Sequence, residues 1–145
     1  MTPEAIRSVI VACPEGMKWW DWDQELLARF RDLDGAVVFR GLFPLAAASQ
    51  ERGPACSAAW LLYKLRPQCL ISCREAITAL LPEWDVSIEE VVFYIAEQFG
   101  VATVLSTIEE LRPQGIDPTN RLDTVRYWVN CFQEILDERA RKKAV

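Results

Sequence analysis

The chain has 145 residues, is 51% hydrophobic and carries a formal net charge of −5. That is the size of one domain with a real core, so the sequence reads as a single unit, 1–145, and intrinsic disorder is excluded. No apolar run approaches the roughly 20 residues needed to span a bilayer, and Met1-Thr2-Pro3-Glu4 does not begin like a secretory signal, so a cytoplasmic protein is expected.

In chain order, Thr2-Pro3 reads as a helix cap followed by proline at the first helical position, with Ile6, Val9 and Ile10 on one face. Asp21 and Gln24 suit a capping box for a second helix with the stripe Leu26, Leu27, Phe30 and Leu33. Residues 36–50 are ambiguous. Val37-Val38-Phe39 fits a strand but has no strong partner, whereas Pro44 and the alanine run favour a helix starting at the proline.

From there the helical period is regular. Ala58, Leu61, Leu62 and Leu65 line a helix stopped by Pro67, and Leu70, Cys73, Ile77, Leu80 and Leu81 line the next, stopped by Pro82. Ser87 and Glu90 suit a capping box for Ile88, Val91, Val92, Ile95 and Phe99, which Gly100 ends. Val104, Leu105, Ile108 and Leu111 follow. Asp117-Pro118 opens the longest helix, with Leu122, Val125, Val129, Phe132 and Leu136 inward. No strand alternation competes, so the fold class is all-α.

The three tyrosines, Tyr63, Tyr94 and Tyr127, lie 31 and 33 residues apart. Glu90, Val92, Tyr94 and Phe99 match Asp123, Val125, Tyr127 and Phe132 at one constant offset. A unit of that length suits a helix pair, and the short connections imply antiparallel neighbours. The helix-turn-helix stretches Ala58–Leu81 and Ser87–Leu111, with half a unit from Pro118, resemble HEAT-like helical-repeat proteins over about residues 55–136. The resemblance implies stacked antiparallel helix pairs forming a short solenoid that presents a surface. An irregular helical bundle is the alternative.

Chemistry has few carriers. There is no histidine, hence neither the commonest general base nor the usual partner of a serine or cysteine nucleophile. The six glycines are isolated and form no phosphate loop. Cys69 and Cys73 are spaced to share a helix face, but no second close pair completes a tetrahedral site. The expectation is therefore a non-enzymatic protein with reduced thiols, no metal and no cofactor.

Eight acids and no lysine or arginine lie between Glu75 and Leu111. That stretch repels phosphate and excludes a nucleic-acid interface there; a basic protein partner fits it. On the helix after Ser87, the core stripe centres on Ile88, Val92, Ile95 and Phe99. Phe93 falls about 140° from it, in line with Glu89 and Glu97, and Tyr94 about 120° away on the other flank, beside Glu90. Trp84-Asp85 precede this helix. Trp84, Asp85, Glu89, Glu90, Phe93, Tyr94 and Glu97 are thus the candidate partner-binding residues. Two readings stand side by side: an aromatic-studded acidic face, or aromatics buried against the next helix pair. Trp19-Trp20-Asp21-Trp22-Asp23 likewise reads either as an exposed anchor or as a hydrophobic staple on its own helix. Within the binding class, a small immunity or antitoxin-like inhibitor is expected from charge and size. The alternative is a structural or adaptor subunit, including one that self-associates.

Overall fold

The computed structural model describes residues 1–48 and 50–144. Its elements are α1 (Pro3–Val11), α2 (Trp19–Phe30), α3 (Gly35–Ala48), α4 (Arg52–Leu65), α5 (Cys73–Leu80), α6 (Glu90–Phe99), α7 (Val101–Leu111) and α8 (Arg121–Lys143). Among the described residues there is no strand, and the fold is all-α. No single helix among them is long and apolar enough to cross a membrane.

Several ends form as their residue types dictate. Thr2 Oγ1 accepts from the Ala5 N–H at 3.1 Å, with Pro3 inside the first turn. Ser72 and Glu75 make a reciprocal capping box on α5, at 3.1 and 3.2 Å. Asp117 caps α8 from upstream, its two carboxylate oxygens accepting from the N–H groups of Arg121 (2.8 Å) and Leu122 (2.9 Å). At Gly100, φ +88° lets the chain leave α6 and enter α7 through a 107° bend.

Two expected boxes do not form. The Ser87 N–H and hydroxyl both donate to Asp85 Oδ1, at 3.0 and 2.7 Å, which closes a local turn. Helix α6 therefore begins at Glu90 with no side-chain cap. Likewise α2 starts before Asp21, at Trp19, again without a side-chain cap.

Over residues 36–48 the ambiguous segment is a single helix, α3, which runs from Gly35 through Pro44; residue 49 lies outside the described residues. A proline inside a helix leaves the carbonyl four residues back without its donor. Here that carbonyl belongs to Arg40, and the Arg7 guanidinium donates to it at 2.9 Å. The rescuing donor is on α1, far away in sequence. Helices α1 and α3 can approach this closely because Gly41 faces Ile6: a Cβ at Gly41 would lie 2.8 Å from Ile6 side-chain carbons.

The helices sort into two rows by their contacts. One row runs α1, α3, α5, α7 and the other α2, α4, α6, α8, each helix touching the next in its row. The most extensive contact between rows joins α3 to α4. Of the helix pairs expected from sequence, α6 and α7 pack on each other but α4 and α5 scarcely touch; between the pairs, α4 meets α6 and α5 meets α7. Trp19 lies against Gly53, and Asp23 hydrogen-bonds Ser57. These two pairs are equally far apart in sequence, so α2 and α4 run in the same direction.

Arg121 ties the start of α8 to the α5–α6 connection. Its guanidinium donates to the carbonyls of Trp84 (3.0 Å) and Leu81 (3.1 Å) and to the Thr119 hydroxyl. The main core runs through both rows, and a second cluster of Phe93, Ala96 and Phe132 lies between α6 and α8.

The close approach at Gly41 generates a first prediction. Gly41→Ala should destabilise the fold by about 1–3 kcal/mol in a denaturant titration, because Ile6 must move, even though alanine is the better helix former. A stabilised variant would mean that α1 is not held against α3 at this point.

Candidate acidic groove between α6 and α8

An open groove of about 510 Å³ runs between the start of α6 and the second half of α8. Its apolar floor is Phe93, Trp128, Cys131 and Ile135. Three carboxylates line it, Glu89 from the turn before α6 and Glu134 and Glu138 from α8, together with one cation, Arg141.

The floor is rigid because each ring is held by a neighbour. Phe93 meets Phe132 at 5.4 Å and the edge of Trp128 at 6.5 Å, and Tyr63 of α4 closes on Phe93 at 5.9 Å. The Trp128 indole donates to the Val86 carbonyl at 2.8 Å, which fixes its orientation. Glu89 and Glu134 form no ion pair among the described residues, whereas Glu138 reaches Lys142 at 3.4 Å. The groove thus presents carboxylates above an apolar floor, and nothing in it resembles a nucleophile held by a base.

The sequence-predicted residues separate into several environments. Only Glu89 and Phe93 line the groove. Trp84 and Tyr94 are each 1% exposed and belong to the core, so the aromatic-studded outer face is not formed by them. The Trp84 indole donates to the Ile88 carbonyl at 3.1 Å, and the Tyr94 hydroxyl donates to the Pro67 carbonyl at 2.7 Å. Burial pushes the Tyr94 phenol far above its ordinary range. Phe93 is 6% exposed, although it lines the groove. For these aromatics the packing reading describes the structure.

The remaining acids lie apart. Glu97 is at the other end of α6, paired with Arg66 at 3.0 Å. The hydrogen bonds from Ser87 hold the Asp85 carboxyl below its usual range, and Arg52 lies 3.6 Å from it. Burial raises the Glu90 carboxyl, and the charge of Glu89 adds to this. Cys69 and Cys73 are buried enough for their thiols to be pushed up, and no group of three possible metal ligands occurs among the described residues.

The tyrosines do not share one environment either. Tyr63 is half-buried, Tyr94 is buried, and Tyr127 is exposed. Leu136, expected inward, is also exposed, because the last turns of α8 run past the core. Those turns carry the part of the groove that sequence reasoning missed. Its signal was a second stripe on α8, Trp128–Cys131–Ile135–Glu138, at helical spacing beside the core stripe.

The tryptophan-rich segment divides. Trp22 is buried and donates to the Ile10 carbonyl at 3.2 Å, whereas Trp19 is 40% and Trp20 64% exposed. In comparisons with protein-family models, curated proteins and solved structures, nothing matches the chain.

Two predictions follow from these environments. Tyr94→Phe should cost about 1–3 kcal/mol of stability by leaving the Pro67 carbonyl without its donor, read from a denaturant midpoint; an unchanged midpoint would place the hydroxyl in water. Glu90→Gln tests the half-buried carboxyl. Its folded-state pKa is raised, so its ionisation penalises the fold as pH rises through the unfolded and then the folded value. The variant should melt higher than the parent at neutral pH, and the gap should close below about pH 4. A gap that widens in acid would reverse the assignment.

Proposed function

We propose that the protein is a non-enzymatic binding module that holds a basic segment of another protein in the groove between α6 and α8. The observation that carries this reading is the pairing of Glu89, Glu134 and Glu138 with the floor of Phe93, Trp128, Cys131 and Ile135. An amphipathic segment with arginines or lysines beside apolar residues satisfies both at once. Carboxylates at the rim accelerate encounter with such a partner, and the aromatic floor slows its departure.

The two rows of helices support a further step, that the chain is a short HEAT-like stack whose last helix supplies the binding wall. Acidic charge on a small scaffold also suits an inhibitor of the immunity or antitoxin type, which would cover the cationic site of a basic toxin.

A synthetic amphipathic peptide, with arginines on one face and leucines on the other, is the first probe. Its affinity should fall steadily as salt rises from about 0.05 to 0.5 M. The double variant Glu134→Lys/Glu138→Lys should slow association by about tenfold or more without lowering the melting temperature, since both side chains are exposed. Unchanged association in this variant would remove the groove as the site. Capture of a natural partner that is insensitive to salt would favour an adaptor subunit instead.

A further inference from the structure

Trp20 is the most exposed large hydrophobic residue among the described residues, and it is not isolated. Its ring meets Trp60 of α4 at 6.2 Å. One turn further along α4, Lys64 places its ammonium 5.9 Å from the Trp60 ring and 6.0 Å from the Tyr63 ring. Tyr63 then meets Phe93, which forms the groove floor with Trp128. Ring contacts thus join α2 to α4 at one end and α4 to α6 and α8 at the other, where they reach the groove, and the Lys64 ammonium bridges the two parts between Trp60 and Tyr63.

The cations along this belt are the protein's own. Besides Lys64, Arg139 of α8 donates to the Tyr63 hydroxyl at 3.0 Å, and Arg141 lines the groove. Acids accompany the rings. Asp23, one turn along α2 from Trp20, is half-buried against Ser57, and its Oδ1 has no hydrogen-bond partner. Glu89 and Glu90 stand at the α6 end. Aromatic faces attract ammonium and guanidinium groups through their quadrupole, and nearby carboxylates strengthen the preference. The intramolecular Lys64 contact shows the geometry that such a cation adopts.

We infer that the docking surface extends beyond the groove along this belt to Trp20, and that it takes further cationic side chains of the same partner onto the faces of Trp60 and Tyr63 that Lys64 now approaches. The occupant is a basic protein segment long enough to cross from α8 to α2. This inference rests on the reading of the groove as the site for a basic partner, and the variants below separate the two. Lys64 acts as a competitor built into the surface, so partner binding must displace it.

The test uses the full chain and two peptides: the arginine–leucine amphipathic peptide, and its counterpart with every arginine replaced by citrulline, which keeps shape and removes charge. Calorimetric affinities are compared for the parent, Trp20→Ala, Lys64→Ala and Glu134→Lys/Glu138→Lys, with thermal melts run in parallel. Trp20→Ala should weaken the arginine peptide by about fivefold at unchanged melting temperature. Lys64→Ala should tighten it by a few-fold, because a competing cation is gone, and the citrulline peptide should respond to neither change. If both α2 and α4 variants stay within about twofold of the parent while the groove variant fails to bind, the belt is overturned and the groove reading stands. If the groove variant binds normally and Trp20→Ala does not, the groove reading fails and the belt is a site by itself. Weaker binding in Lys64→Ala would overturn the displacement idea, since it would make Lys64 a contact for the partner.

Discussion

The rest of the structure is arranged around the enclosure of α6. Every residue from Val91 to Ala96 is buried, which leaves this stretch of helix no solvent face. Its neighbours are α3, α4, α5, α7 and α8. Such a helix must be apolar in all directions, and any polar group on it needs a partner inside. Tyr94 meets that condition through the Pro67 carbonyl, whereas Phe93 has no polar group and is enclosed among other rings. Acids are accordingly displaced to the ends of the helix, Glu89 and Glu90 at the start and Glu97 in the last turn. That displacement is why the acidic groove lies at the α6 N-terminus and not along its length.

Enclosure also explains which sequence signals could be read and which could not. The apolar stripes on α4, α7 and α8 are dictated by one buried face each, and period alone locates them. Around α6 the same logic misassigns Phe93 and Tyr94, because off-stripe aromatics on a helix with one buried face are surface residues, and on a helix with none exposed they are core. Only the presence of α8 and α4 on either side decides between these cases, and that is tertiary information. Residues 36–50 fail for a related reason. Pro44 is an obstacle to a helix until Arg7 supplies the missing donor at Arg40, a contact between distant parts of the chain. The capping boxes show a local version: Ser72–Glu75 forms, whereas Ser87 is taken by Asp85, which lies closer in sequence and closes a turn first.

The offset that links Glu90, Val92, Tyr94 and Phe99 to Asp123, Val125, Tyr127 and Phe132 is informative in the same way. Val92 and Val125 are both fully buried, so α6 and α8 share a core-facing position. Tyr94 and Tyr127 are not equivalent, because α6 has a neighbour on the side where α8, the last in its row, has none. Repetition in sequence would specify the inward face of each helix and leave the outer face of the terminal one free to diverge. On α8 that freedom is used for charge: past Phe132 the helix carries Glu134, Asp137, Glu138, Arg139 and Arg141 and projects beyond the core.

A projecting helix end has a mechanical consequence. Packing fixes α8 up to Phe132, and Arg121 anchors its start to the Trp84 and Leu81 carbonyls. Beyond Phe132 its position rests on few contacts, among them the Arg139–Tyr63 hydrogen bond, which is solvent-exposed. Exposed polar contacts of this kind contribute little to stability. The two walls of the groove therefore differ in stiffness: the α6 side belongs to the core, while the α8 side can shift by breaking contacts that water replaces at small cost. Under the proposed reading of the groove, a rigid aromatic floor beneath an adjustable charged wall would accommodate partner segments of differing width.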